Sequence, residues 1–330
     1  MNYFQRIYRH SLLIILLSGS ASMVSMAQKP AYRLFREDGK RARYEKMLEA
    51  ASGADIVLFG EYHTNPISHW LQLELTRDLY KARGGSLILG AEMFEADNQL
   101  IMDEYLAGKI TETQFEEEAR LWNNYLTDYK PLVLIAKENG LRFVATNIPR
   151  RYANMVFKQG VASLEDLSTE AKSYIAPLPL EYDKSLDCYA QLMGGGDSPV
   201  ANTPMTAATM PPSDSSAASG VTGTAMSMAG PMGGHASINL VDAQAVKDAT
   251  MSYFIMKNWK PGKLLVHYNG AYHSDEFESI YWFLKQAARD LNIVTISTVS
   301  QDNVEKLEDE NVGKASFIIA VPSDMTQTNR

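Results

Sequence analysis

Two stretches far apart in the chain carry the same polar signature. Gly60-Glu61-Tyr62-His63 and Gly270-Ala271-Tyr272-His273 both read Gly-x-Tyr-His, and Gly90-Ala91-Glu92 adds a third glycine with a carboxylate. Glu61, His63, Glu92 and His273 offer two carboxylates and two imidazoles. That set suits a divalent metal such as zinc, manganese or iron, and equally acid–base work on a bound water. A lone histidine at a turn is ordinarily hydrogen-bonded structure, but the duplicated motif argues for one shared pocket. Glycine at these points lets the chain leave a strand sharply and lets a ligand approach the backbone.

Other side chains border this set. His69 follows the first motif, and Asn147 and Arg150 stand in Asn147-Ile148-Pro149-Arg150-Arg151. A guanidinium pairs with carboxylates, either Glu92 or those of a ligand, although an ordinary surface ion pair accounts for Arg150 equally well. His267, inside an apolar run, reads as a buried and hydrogen-bonded core residue. The chain has 17 tyrosines. Trp122, Tyr125 and Tyr129 are spaced for one helical face, which fits packing. A phenolate also ligates ferric haem, so a tyrosine among Tyr62, Tyr125, Tyr129 and Tyr272 is a candidate iron ligand.

The elements that must position these residues are short apolar runs at Asp55–Phe59, Ser86–Ala91, Arg142–Thr146, Lys263–Tyr268, Asn292–Ser297 and Ser316–Val321. Such runs fit strands buried on both faces. Helical patterns separate them, one from Pro66 to Arg83 with Asn65 as N-cap and one from Asp275 to Leu291. Strand alternating with helix predicts an α/β fold with a mostly parallel sheet flanked by helices. The carboxyl ends of its strands form the ligand crevice. Residues 50–95, 138–164 and 259–322 make up this core. Two insertions, 96–137 and 165–258, form a small helical lobe. The first holds helices at Asn98–Ala107, Thr113–Trp122 and Pro131–Lys137, and the second holds its clearest helix at Val241–Lys257.

Within the second insertion, residues 193–236 are dominated by Gly, Ser, Thr, Ala, Pro and Met, with only Asp197 and Asp214 charged between Met193 and His235. The composition is that of a flexible linker. Met232 and His235 at its end could serve a soft metal or haem iron.

Hydrophobic residues make up 45% of the chain and charged residues 21%, a globular composition. A net charge of −8 argues against nucleic acid as partner. The single cysteine, Cys188, excludes an internal disulfide and a cysteine-based zinc or iron–sulfur site. Arg6 and Arg9 precede the apolar run Leu12–Leu17, and Ser25-Met26-Ala27 follows. That is a secretory signal peptide over residues 1–27, cleaved near Ala27. Its apolar run is too short for a stable transmembrane anchor. The expected location is the periplasm or the cell surface.

The motifs together resemble the ChaN family of haem-binding uptake proteins, within the Tiki/TraB/erythromycin-esterase-like group. They are Gly60-Glu61-Tyr62-His63-Thr64-Asn65-Pro66 with His69, Gly90-Ala91-Glu92-Met93-Phe94, Tyr129-Lys130-Pro131-Leu132 and Asn147-Ile148-Pro149-Arg150. Asp187-Cys188-Tyr189, residues Ala243 to Met251 and Gly270-Ala271-Tyr272-His273 complete the set. The resemblance implies haem binding, by a homodimer that stacks two haems face to face with tyrosine ligation, in the service of iron uptake. Tyr62, Tyr125, Tyr129, Arg150, His235 and Tyr272 are the residues set toward haem. The alternative is a metal-dependent hydrolase of the Tiki-like type, with Glu61, His63, Glu92 and His273 holding the ion or activating water.

Overall fold

The computed structural model describes residues 29–193 and 234–328. The expected signal peptide, residues 1–27, and nearly all of the Met/Gly/Ser-rich insert lie outside them. The chain divides into Met1–Ala31 and Tyr32–Arg330, and every element below belongs to the second unit.

In chain order the elements are β1 (Arg33–Arg36), α1 (Tyr44–Ser52), β2 (Ile56–Glu61), α2 (Pro66–Arg83), β3 (Leu87–Glu95), α3 (Gln99–Leu106), α4 (Glu112–Glu118), α5 (Lys130–Glu138) and β4 (Arg142–Asn147). There follow α6 (Arg150–Gln159), α7 (Thr169–Lys172), α8 (Asp187–Met193), α9 (Gly234–Asn258), β5 (Leu264–Gly270), α10 (Ile280–Ala287), β6 (Ile293–Gln301) and β7 (Phe317–Pro322). The strands form one seven-stranded sheet in the order β1-β7-β6-β2-β5-β3-β4. All neighbours are parallel except the edge pair β1 and β7.

Side-chain alternation splits each strand between two cores. Val57, Phe59, Leu89, Phe143, Val266 and Tyr268 face one layer, with Leu71 and Leu75 of α2 and Leu132 and Val133 of α5. Ile56, Leu58, Ile88, Val144 and Leu265 face the other, with Met251, Phe254 and Ile255 of α9 and Ile280 and Leu284 of α10. Every residue of β2 and β5 is buried, which is why these runs are apolar without polar alternation. The helices of the two insertions therefore lie on opposite faces: Met102, Tyr105, Phe115 and Tyr129 join the first layer, and α9 joins the second.

Helix α2 has the bounds its pattern predicts. Asn65 Oδ1 accepts from the amides of Ile67 and Ser68, both at 3.0 Å, and Pro66 opens the first turn. Two helical expectations are corrected. Between Asp275 and Leu291 only Ile280–Ala287 is α-helical, because Glu276, Phe277 and Ser279 take φ of 60°, 59° and 51° and break the backbone into separate turns. The helix expected over Thr113–Trp122 stops at Glu118, where Ala119 turns to extended geometry. Tyr125–Tyr129 forms a π-turn, so Trp122, Tyr125 and Tyr129 do not share one α-helical face. Strand β1 and helix α1 have no counterpart in the periodicity.

Candidate functional site

Strand β5 lies between β2 and β3, so the three polar motifs arrive at one edge of the sheet. Glu61, the last residue of β2, stands in register with Gly270, the last residue of β5. Glu92 of β3 reaches across, and its Oε2 accepts the Gly270 N–H at 2.8 Å. Both motif glycines sit where no side chain fits. A Cβ on Gly60 would lie 2.9 Å from Ala271 Cα, and one on Gly270 would lie 2.8 Å from His63 Nε2 and 3.6 Å from Glu92 Oε2. His63 packs over bare backbone that only glycine supplies.

Behind His63 runs a chain of buried polar groups. Its Nδ1 lies 2.9 Å from Glu61 Oε1, which also accepts the Tyr129 hydroxyl at 2.7 Å. Glu61 Oε2 accepts from the Gln72 amide and lies 3.7 Å from His69 Nδ1. His69 Nε2 continues to Asp128 Oδ2 at 3.4 Å. Asp128 Oδ2 accepts from Asn124 at 2.7 Å and from Thr328 Oγ1 at 2.8 Å. Burial works against ionising Glu61, but the imidazoles of His69 and His63 and the Tyr129 donor together hold its carboxyl below the usual range.

A second chain lies on the other side of Gly270. His273 places Nε2 3.4 Å from Glu92 Oε1 and Nδ1 2.5 Å from Asp248 Oδ1. Asp248 Oδ2 accepts the Tyr189 hydroxyl at 2.7 Å. Burial alone would lower the His273 pKa, but Glu92 and Asp248 outweigh it and push it up to about 10. Burial opposes charge on Glu92 as well, and His273, His63 and the Gly270 amide still hold it far below the usual carboxylate range. The His273 group, with Glu92 and Asp248 on its two nitrogens, is thus a closed ionic unit at neutral pH.

The four expected acid–base residues do converge. The tyrosines and the remaining candidates separate. Tyr129 is 1% exposed and bound to Glu61, and Tyr125 is 3% exposed between Phe94 and Phe115. Tyr272 donates to the Cys188 carbonyl at 2.7 Å. Tyr62 is 41% exposed, and burial of its phenol and the nearby Asp275 raise its pKa. Arg150 begins α6, beside Lys247. His235 sits in the first turn of α9, and its side chain lies outside the described residues, as does Met232. His267 is fully buried between Thr146 Oγ1 at 2.7 Å and Asn269 Oδ1 at 3.1 Å.

Gln72, Asn124, Asp128, Tyr189, Asp248 and Thr328, which complete these chains, were not among the site residues named from the sequence. Gln72 carried a usable signal, standing three residues after His69 on one helix face, and Tyr189 and Asp248 stood within motifs that carry the family resemblance. Asp128 and Asp248 need the tertiary fold to meet their histidines. Among the described residues no group of three or more His, Cys, Asp or Glu side chains is arranged to hold a metal ion. No described helix is long and apolar enough to cross a membrane.

Comparison with known proteins bears on the fold and the family. The ChaN of Campylobacter jejuni, solved with cofacially bound haem, aligns with a TM-score of 0.61 at 13% identity over 91% of this chain and 98% of its own. A Bacillus cereus protein aligns with a TM-score of 0.46 at 11% identity over 88% and 95%. The type III effector HopBA1 aligns with a TM-score of 0.40 at 11% identity over 91% and 100%. No curated protein matches the sequence. The family model described as haem-binding uptake, Tiki superfamily, ChaN matches residues 47–284, a span that contains both polar chains apart from Thr328 and every strand from β2 to β5. The chain belongs to this ChaN family of haem-binding uptake proteins.

Proposed function

We propose that this protein binds ferric haem at the carboxyl edge of its sheet and serves haem or iron uptake after export. Membership of the haem-binding family supports the first part. The signal-peptide pattern of residues 1–27 supports export to the periplasm or cell surface. The observation that carries the reading is Tyr62. The residue is 41% exposed just past the end of β2, whereas Tyr125 and Tyr129 are buried in the core and Tyr272 is tied to a carbonyl.

The donor set fits haem better than a bare divalent ion. Haem needs an accessible phenol or imidazole, an apolar face and cations for its propionates. Tyr62 supplies the phenol. His63 is partly exposed beside it, edge-on to Trp122 with ring centroids 4.9 Å apart. Arg150 supplies a cation. Glu61 and Glu92, by contrast, are closed on their own histidines and hydrogen-bond donors. Bound haem would supply the iron cargo; the protein's residues orient it and neutralise its carboxylates. A homodimer in which two such faces meet accords with the family. The hydrolase reading, with Glu61, His63, Glu92 and His273 around a divalent ion, requires at least one of those closed pairs to open.

The test is a visible-absorption titration of residues 28–330 with ferric haem, after assay for bound metals. A saturable Soret shift is expected. No shift, with about one divalent ion per chain, would move the assignment to the hydrolase.

A further inference from the structure

Residues 323–328 leave β7 as a strap that lies along the first Gly-x-Tyr-His loop. None of them belongs to the buried apolar layers, and Ser323, Asp324, Thr326 and Gln327 are exposed. Hydrogen bonds hold the strap at its two ends. At the first, the Ser323 amide donates to the Gln301 carbonyl at 3.1 Å and its hydroxyl to Asp302. At the second, the Thr328 amide donates to the Thr64 carbonyl at 2.9 Å, and the Thr64 hydroxyl donates to Gln327 Oε1 at 3.3 Å. The Thr328 hydroxyl donates to Asp128 Oδ2 at 2.8 Å.

Two residues that donate to Asp128 also grip the loop. Asn124 Nδ2 donates to Asp128 Oδ2 at 2.7 Å and to the His63 carbonyl at 2.8 Å. Thr328 gives its hydroxyl to the same Oδ2 and its amide to the Thr64 carbonyl. One oxygen of a buried carboxylate thus carries two arms that hold consecutive carbonyls, fixing the two peptide planes that flank Thr64. His69 Nε2 completes the hub, 3.4 Å from Asp128 Oδ2 and 3.2 Å from the His63 carbonyl. Inside the loop the Asn65 amide closes a turn on the Tyr62 carbonyl at 2.9 Å, so the outward carbonyls rely on donors from elsewhere. A strap held by a few surface hydrogen bonds, without apolar burial, opens at low free energy. A loop that is already held loses less conformational entropy when a ligand orders it.

We propose that residues 323–328 are a detachable clamp that holds the loop of Tyr62 and His63 in its ligand-ready shape through Asp128, so that strap docking and haem binding reinforce each other. This rests on the haem reading above. Linkage makes the coupling reciprocal: the affinity that the docked strap adds to haem is the affinity that bound haem adds to strap docking. Haem affinity is thereby set from a surface segment that contains none of the residues set toward haem.

The experiment compares wild-type protein with Thr328→Ser, which keeps hydroxyl and amide, Thr328→Val, which keeps the amide alone, and Thr328→Pro, which keeps neither. Circular dichroism establishes that each variant is folded. Soret titration with ferric haem should find Thr328→Ser at wild-type affinity, Thr328→Val about threefold weaker and Thr328→Pro about tenfold weaker, the scale of one and two hydrogen bonds. Hydrogen exchange read by mass spectrometry supplies the reciprocal measurement. Haem should slow exchange in residues 323–328 of wild type by a comparable factor, and should leave it unchanged in Thr328→Pro. Wild-type affinity in Thr328→Pro, or strap exchange in wild type that haem does not slow, would overturn the proposal and leave haem binding standing. Absence of any Soret shift in wild type would overturn both.

Discussion

His273 Nδ1 lies 2.5 Å from Asp248 Oδ1, joining the second Gly-x-Tyr-His motif to the middle of α9. Together with Glu92, the contact keeps the motif's imidazole cationic at neutral pH. It also anchors α8, because Tyr189 donates to the other oxygen of the same carboxylate.

The pH dependence of stability follows from this pair. The folded pKa of His273 is raised to about 10 from the ordinary 6.5. Its contribution is therefore complete below pH 6.5 and lost as pH rises toward 10. Wild-type unfolding free energy should decline across that window. Asp248→Asn should flatten the slope and cost about 3–5 kcal/mol at neutral pH, as breaking a buried pair does. Urea denaturation at a series of pH values checks both. A slope that is identical in the variant would show that Asp248 does not set the His273 proton.

The two motif glycines should differ in what they tolerate. In Gly60→Ala the new methyl meets backbone, Ala271 Cα, at 2.9 Å, and destabilisation of about 1–3 kcal/mol is expected from overpacking. In Gly270→Ala it meets the His63 ring, which is able to swing away. That variant should lose less stability and more haem affinity. Thermal melts and Soret titrations on the same samples separate the effects.

Tyr62 and Tyr129 should part in the same way. Tyr62→Phe removes the hydroxyl of a partly exposed residue and should abolish the tyrosinate charge-transfer features of the ferric complex with a stability change within about 0.5 kcal/mol. Tyr129→Phe withdraws a donor from buried Glu61 and should cost about 1–3 kcal/mol with the haem spectrum unchanged. The opposite pattern would make Tyr129 the ligand.

Beyond β7 the chain runs back across the first motif. The Thr328 amide donates to the Thr64 carbonyl at 2.9 Å, and its hydroxyl bonds Asp128. Thr328→Val should cost about 1 kcal/mol and speed hydrogen exchange in residues 62–65, read by mass spectrometry. Unchanged exchange there would show that the loop is held without the strap.

The legible part of the fold was the part governed by local rules. Six apolar runs became six strands because burial on both faces excludes polar residues from them. Helix α2 was legible through Asn65 and Pro66. The segment 275–279 was not, because three non-glycine residues adopt left-handed backbone there, a choice made by packing. β1 was hidden because two of its four residues are arginine, as an edge strand permits. In the site, repetition exposed Glu61, His63 and His273. Asp128 and Asp248 stayed hidden because each meets its histidine only when a helix from a distant insertion docks. Tyr129 looked like a free phenol until Glu61 was found beneath it.

The position of β5 has a consequence for how the chain can be assembled. β2 pairs only with β5 and β6, and β3 reaches β2 only through β5. Arg33 of β1 awaits Ala320 of β7. The stretch up to Met193 therefore owns a single completed strand pair, β3 with β4. Pieces made by dividing the polypeptide between Met193 and Gly234 would be complementary fragments and not domains. Ordering must wait for the late strands, with the high loop-closure entropy of distant pairings. A nascent chain of this topology holds no more than the β3–β4 pair until its last third is present.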